Sequence, residues 1–485
     1  MKSNFSILIV ASEAEPFAKT GGLGEYVSSL AYSLKTLGHH PAIIIPRYRS
    51  IGSSLKQKIF KKSLTVSISD RSEESDIYQA FLEEDIPVYL VDKPKYFDRD
   101  DLYRSGEVDY PDNSERFIYF SRAVFELIPH LETIPDIVHC NDWQTGLVPL
   151  YIKHFRNRTN CYWNIKTLFT IHNMAFQGLF WRFDMHLTGL PWDYFTQDGI
   201  EYYGDLNLLK AGIIFSDTIS TVSSQYSKEI QTQEYGCGLD GLLRSQKKRL
   251  YGIQNGIDYR KWDPKTDASI ASHYSIDDLS GKKACKKKLL KIMKMEYRLK
   301  EPIISVISRL TRQRGMDLLS EALPEITERD VKIVILGIGD RQYEEELKAA
   351  AERYKTKLVF FNVFDEQLAH EIEAGSDMFL MPSRYEPCGL NQLYSLRYGT
   401  VPIVRATGGL EDTVEEDELD PSFSTGFKFH DYSVSALIKT LDRALTVYDN
   451  RRTWLKIMKN GMKKDYSWTA SAIRYSGLYE KIISL

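Results

Sequence analysis

Short, unbroken apolar runs alternate along this chain with longer segments of helical periodicity. Residues 5–12 (FSILIVAS) are apolar and β-branched, the pattern of a strand buried on both faces of a parallel sheet. A glycine-rich loop follows. Between Glu25 and Gly38, Val27, Leu30, Ala31, Leu34 and Leu37 recur at helical spacing, Gly38 supplies a stop, and residues 42–45 make the next buried run. This βαβ unit predicts a doubly wound sheet, continued by short apolar strands at 88–91, 137–140, 167–171 and 218–222. The first α/β domain therefore reaches to about Asn255.

The turn Asn255-Gly256-Ile257-Asp258 and the irregular Trp262-Asp263-Pro264 place the interdomain hinge, which gives domains of residues 1–258 and 259–464. A second α/β series has strands at 303–307, 332–336, 358–362, 378–381 and 401–404. Both halves open alike, with a buried strand, a loop holding glycine and a cation, then a helix. The lysine-rich stretch 282–300 interleaves Leu289, Leu290, Ile292, Met293 and Met295, so it predicts a solvated helix with snorkelling lysines rather than a nucleic-acid surface.

Composition narrows the class. The 63 basic and 66 acidic side chains among 485 residues nearly cancel, leaving no global pull toward nucleic acid or an anionic membrane. Any anion site must be local. Cys140, Cys161, Cys237, Cys285 and Cys388 are widely spaced, with no C-x-x-C pair, and read as reduced thiols. The first apolar run is too short for a membrane span, so a soluble cytoplasmic enzyme is expected.

Candidate chemistry sits at strand ends. Lys19-Thr20-Gly21-Gly22-Leu23-Gly24 lies between a strand and a helix N-terminus, where free amides, the helix dipole and an ammonium favour an anion. It is not a Walker A loop, because the lysine precedes the glycines. His139-Cys140-Asn141-Asp142-Trp143-Gln144 and Thr170-Ile171-His172-Asn173 each follow a strand, which predicts polar residues facing one crevice. In the second domain, Arg309, Arg312 and Arg314 flank a strand end and can fork onto a diphosphate; Gly337-Ile338-Gly339-Asp340 ends the next strand. The fullest group is Pro382-Ser383-Arg384-Tyr385-Glu386-Pro387-Cys388-Gly389-Leu390-Asn391-Gln392, followed by Thr407-Gly408-Gly409-Leu410. There Glu386 is expected in a loop, with a helix starting near Cys388. Cys388 lacks a placed histidine and is read as a packing or substrate-contacting residue. Asp98-Arg99-Asp100 imitates a metal-binding D-x-D but reads as charged surface.

K-T-G-G-L-G, H-x-N-D-W, T-I-H-N, N-G-I-D, S-R-L-T-x-Q-x-G-x-D, P-S-R-x-E-P-C-G-L and T-G-G-L-x-D-T-V, in this order across essentially the whole chain, resemble the glycogen and starch synthases. The resemblance implies a GT-B fold, with two Rossmann-like domains facing across a deep cleft and a C-terminal helical segment, residues 465–485, packing back on the first domain. It implies transfer of glucose from ADP-glucose to the non-reducing end of an α-1,4-glucan primer with retention of configuration, and no metal. UDP-glucose remains an alternative donor.

Carried over by the resemblance, Arg309 and Arg314 would neutralise the leaving diphosphate, helped by Lys19 and amides around Gly21, Gly22, Thr407, Gly408 and Gly409. Glu386, with Cys388, Gly389 and Leu390, would fix the sugar, and His172 would contact it. Asp142, Asn173, Asn255 and Tyr103 would line the glucose and acceptor side; Tyr394, Gly337 and Gly339 the nucleotide side. The chain departs from the family's usual lysine at Arg314 and its aspartate at Glu25. Another retaining GT-B transferase, such as one making sucrose phosphate or trehalose phosphate, is the nearest rival. A catalytically silent glucan-binding protein is a rival of another class, and a nicotinamide oxidoreductase is a distant third, because no acid stands at the proper strand end.

Overall fold

The computed structural model describes residues 4–52, 55–83, 85–106, 108–298 and 300–484. Leu299 and Leu485, which fall in the lysine-rich stretch and the C-terminal segment, lie outside the described residues. The chain divides into two compact units. The first comprises the chain to Val222, Ser227–Ile253 and the stretch from Trp468 onward; the second comprises Ser223–Tyr226 and Gln254–Ser467.

The first unit is built on a nine-stranded sheet. In chain order its strands are β1 (Ser6–Val10), β2 (His40–Pro46), β3 (Lys58–Ile68), β4 (Arg71–Leu82), β5 (Ile86–Asp92), β6 (Ile137–Asn141), β7 (Lys166–Ile171), β8 (Thr218–Thr221) and β9 (Leu250–Gly252). Their order across the sheet is β9-β8-β7-β6-β1-β2-β5-β4-β3. Every pairing is parallel except β3–β4 and β4–β5. The apolar runs became the buried parallel strands because βα crossovers cover both faces. The β3–β4 hairpin was missed, since its strands are polar and partly exposed, and it extends the sheet as an antiparallel edge.

Helix α1 (Gly22–Thr36) follows β1 and buries Val27, Leu30, Ala31 and Leu34. The C-terminal helix Trp468–Ile483 packs on α1 within this unit. There the Tyr26 hydroxyl donates to the Tyr475 hydroxyl at 2.8 Å.

The second unit carries six parallel strands: β10 (Ile303–Ile307), β11 (Lys332–Leu336), β12 (Leu358–Phe361), β13 (Met378–Met381), β14 (Val401–Arg405) and β15 (Phe427–Phe429), ordered β12-β11-β10-β13-β14-β15. The chain enters this unit at Gln254, and three residues on the Ile257 amide donates to the Tyr466 carbonyl at 2.8 Å.

Helix Ser280–Ile292 corrects the reading of the lysine-rich stretch in part. Lys283, Lys287, Lys288 and Lys291 are solvated, but Lys282 and Lys286 are buried. The Lys282 ammonium donates to the carbonyls of Ala374 and Tyr398 and to Thr400 Oγ1, and Lys286 pairs with Asp377 at 2.7 Å. Amine charge there is spent on stitching helices. Among the described residues no helix is long and apolar enough to cross a membrane.

Candidate active site

In each sheet the strand order reverses beside its first strand, at β1/β6 in the first unit and β10/β13 in the second, and loops leaving a sheet there in opposite directions open a crevice at the strand ends. The motif residues gather at these ends. In the first unit the loop after β1 is organised by Glu13, a residue the sequence reading did not single out. Its buried carboxylate accepts from the Thr20 amide and hydroxyl, each at 2.7 Å, and from the Tyr103 hydroxyl at 2.7 Å. Two acids among small residues just past a buried strand were the available signal.

Lys19 is held by Glu15 at 3.2 Å and Glu25 at 3.7 Å, so its ammonium is partly neutralised, and Glu25 acts as its counter-ion. Gly21 has nothing within 4 Å of where a side chain would begin and keeps an extended φ of −160°. Nothing inside the chain demands glycine there, which leaves close approach of a ligand as its use.

At the ends of β6 and β7, Asp142 adopts φ 57° and accepts from the His172 amide at 2.8 Å. Burial pushes its carboxyl up to about 7, with Glu13 nearby adding to the effect. Asn141 donates its amide nitrogen to the Val10 and His139 carbonyls, which fixes its Oδ1 toward His172 Nε2 at 3.0 Å. Since Oδ1 only accepts, Nε2 carries the proton and Nδ1 is left as an acceptor. Burial holds the His172 pKa down to about 3, so the ring is neutral and serves as a hydrogen-bonding group rather than a cation. Tyr26 braces it edge-on, with ring centroids 4.4 Å apart. Asn173 turns its Oδ1 to the Ala175 amide at 3.0 Å. His139, at the head of its motif, is structural: fully buried, it bonds the Tyr479 hydroxyl and Thr170 Oγ1.

In the second unit the loops after β10, β13 and β14 are knitted together. The Arg384 amide donates to the Gln313 carbonyl at 2.9 Å, and the Gly409 amide to the Glu386 carbonyl at 3.1 Å. A side chain at Gly409 would meet the Cys388 carbonyl at 1.8 Å, and one at Gly408, whose φ is +45°, the Glu386 carbonyl at 2.0 Å. These glycines let two loops touch. Gly337 and Gly339 do the same for the Ser308 and Leu310 backbone.

The helix expected near Cys388 begins later, at Asn391–Arg397, because Gly389 turns the chain with φ +71° first; Leu390 is its N-cap. Glu386, only 2% exposed, ion-pairs with Arg314 and accepts from Ser383 Oγ at 3.2 Å. Burial and the neighbouring Arg309 lower the Arg314 pKa to about 10. Arg309 is exposed and has no ion pair among the described residues. Two guanidiniums thus crowd one loop, an arrangement that an anion relieves.

Cys388 Sγ accepts from Gln254 Nε2 at 3.0 Å, and burial pushes its pKa up to about 12, a thiol and not a nucleophile. Asn255 Oδ1 is buried with no partner among the described residues. Tyr394 is stacked on Trp262 at 3.9 Å, so its ring lies in the core. Besides Ile338 of the Gly337–Asp340 motif, Val363 and Phe364, which sequence reading missed, are exposed apolar residues just past the adjacent strands β11 and β12, with Phe364 80% exposed.

A family model described as the starch synthase catalytic domain matches residues 6–245, and one described as glycosyl transferases group 1 matches residues 291–460. Glycogen synthases of Koribacter versatilis (strain Ellin345) and Geotalea uraniireducens (strain Rf4) are 43% and 44% identical to the chain, each alignment covering 98% of both sequences. The chain belongs to the glycogen and starch synthase family. Like its other members it is a glycosyltransferase with the GT-B fold. The catalytic domain of starch synthase IV from Arabidopsis thaliana, solved with ADP and acarbose, is 31% identical and superposes with a TM-score of 0.91 over 99% of this chain and 100% of that one. Sucrose-phosphate synthase from Thermosynechococcus elongatus shares the fold alone, at 16% identity and a TM-score of 0.61.

Proposed function

We propose that this glycosyltransferase is a glycogen synthase, moving glucose from ADP-glucose to the 4-hydroxyl at the non-reducing end of an α-1,4-glucan with retention of configuration. The observation that carries the reading is the paired guanidiniums of Arg309 and Arg314 beside buried Glu386, a ready site for a sugar diphosphate, in a family whose relatives are glycogen synthases along their whole length. Three further features fit. The apolar shelf of Ile338, Val363 and Phe364 suits a planar base, the related starch synthase was solved with ADP, and it also held acarbose, a glucan mimic.

In this scheme the bond from the anomeric carbon to the diphosphate breaks as Arg309 and Arg314 stabilise the charge that builds on the leaving oxygens. Glu386 accepts hydroxyls of the donor glucose, and Ser383 and Arg314 hold it in place. Asn255 Oδ1 offers a further buried acceptor. His172 offers neutral Nδ1 to a sugar hydroxyl, and Asp142, Asn173 and the Glu13–Tyr103 network belong to the glucan side. The acceptor hydroxyl forms the new bond and its proton leaves with the departing phosphate.

Because side-chain cations meet the diphosphate, the scheme takes no metal, and Asp98 and Asp100 of the D-x-D sequence are instead ion-paired with Arg49. Radiolabelled glucose from ADP-glucose should enter a glycogen primer in the presence of a chelator. Loss of incorporation on chelation would sink the metal-free scheme, faster incorporation from UDP-glucose would reassign the donor, and failure with both donors would sink the enzyme reading. We read the reaction as cytoplasmic, a reading that the free thiols support.

A further inference from the structure

We propose that Tyr26 is a positioning residue for His172, and that the C-terminal helix Trp468–Ile483 sets it by gripping its ring and hydroxyl from behind. The inference rests on the reading that Nδ1 of His172 accepts from a sugar hydroxyl, and it names what aims that nitrogen. Tyr26 lies in the first turn of α1, one residue after Glu25, the counter-ion of Lys19. It is 1% exposed and stands among four rings. Its centroid is 4.4 Å from His172, 5.4 Å from Trp468, 6.2 Å from Tyr475 and 6.4 Å from His139, and every pair meets edge-on.

An imidazole needs more than one contact to be aimed. The Asn141 Oδ1 bond at 3.0 Å holds Nε2, but a single hydrogen bond leaves the ring free to tilt about that point, and Nδ1 swings with it. Tyr26 supplies the second contact. Its ring crosses that of His172 at 82°, an edge-to-face pair that fixes the plane the hydrogen bond leaves open. Tyr26 is itself held at both ends: its hydroxyl donates to the Tyr475 hydroxyl at 2.8 Å, and Trp468 and His139 flank its ring. His139 is locked in turn, because the Tyr479 hydroxyl and Thr170 Oγ1 bond its two nitrogens at 2.9 and 2.6 Å, and Thr170 Oγ1 meets Ser220 Oγ at 2.6 Å. Trp468, Tyr475 and Tyr479 stand seven and four residues apart, so they share one face of the C-terminal helix. That face meets Tyr26 and His139, and Tyr26 carries its grip to His172. Filling the core asks only for volume, which phenylalanine supplies without a buried hydroxyl to satisfy.

The test measures kcat and the KM for ADP-glucose in Tyr26→Leu, Tyr26→Phe and Tyr475→Phe, each made in the full chain and again together with His172→Ala. Tyr26→Leu removes the ring and should lower kcat about thirtyfold, with KM changed by no more than about twofold because the cations that meet the diphosphate are untouched. The phenylalanine variants keep both rings and lose only the hydroxyl link, so each should cost about threefold in kcat, and the two combined no more than either alone. Together with His172→Ala, none of these changes should lower the residual rate further, which separates aiming from packing. Loss of the same factor in both backgrounds overturns the proposal. So does an unchanged kcat in both phenylalanine variants, a result that decides the matter even where Tyr26→Leu fails to fold. Normal turnover by His172→Ala alone would bring down the reading of His172 and the proposal with it. An impaired His172→Ala beside a fully active Tyr26→Leu would overturn the proposal alone.

Discussion

Arg314 closes an ion pair onto Glu386, a residue 72 positions later whose side chain is almost completely buried. The pair changes the expectation drawn from sequence, in which the arginine served the diphosphate and the carboxylate served the sugar independently. One group now orients the other, and a substrate that engages either must act on both. Glu386 stands in a loop, as its motif suggested, but is buried there, because the loops after β10 and β14 cover it.

Arg314→Gln is expected to lower turnover by about a hundredfold, and Arg314→Lys to retain substantial activity by keeping the charge. Glu386→Gln should cost about as much as Arg314→Gln. Because the two act as a unit, the double variant should lose little beyond either single change. Strictly additive losses in kcat would show that the ion pair has no part in turnover.

Asn141 sets the tautomer of His172, so Asn141→Asp places a carboxylate against Nε2 and should raise the histidine's pKa from about 3. The kcat profile should then acquire a limb at mildly acidic pH that the unmodified enzyme lacks. An unchanged profile with normal folding would separate Asn141 from the function of His172.

Two glycines make opposite predictions. Gly409→Ala forces a methyl onto the Cys388 carbonyl and should cost about 1–3 kcal/mol of stability, read as a lower melting temperature. Gly21→Ala meets no atom within 4 Å and should melt normally. Its effect should appear as a higher KM for the donor, since the added methyl stands where the ligand approaches; normal kinetics would leave Gly21 outside the site.

Stability should depend on pH through several buried groups. His139 and His172 are held down to about 3, whereas an unfolded histidine titrates near 6.5, so each favours unfolding as pH falls through that window. Asp142 works the other way: raised to about 7, it keeps a proton that the unfolded chain releases above about 4, and its contribution to stability is lost as pH rises from about 4 to 7. Between pH 4.5 and 6 the two histidines take up protons on unfolding, while Asp142 and Glu373, whose carboxyl burial also raises well above the ordinary range, release them. Asp142→Asn should therefore add about one proton to the uptake, about 1.4 kcal/mol per pH unit, measured from denaturant midpoints across the pH series; an unaltered slope would show that Asp142 is ionised in the folded state.

The local pattern alone determined much of this protein. Parallel strands buried on both faces must be written as continuous apolar runs, so 303–307, 332–336 and 378–381 were legible to the residue, and the motifs at their ends named the face where chemistry gathers. The β3–β4 hairpin was not legible, because one-sided burial leaves its strands rich in lysine and glutamate. Only tertiary structure decided the partners. It made His139, which the motif reading set past a strand but which lies inside β6, a core residue, and His172, just past β7, a neutral acceptor, because burial and the orientation of Asn141 are set by chain segments far away in sequence. It joined Arg314 to Glu386 and gave Glu13 its network for the same reason: a side chain's charge and partners depend on neighbours in space, and a one-dimensional pattern records only those next along the chain.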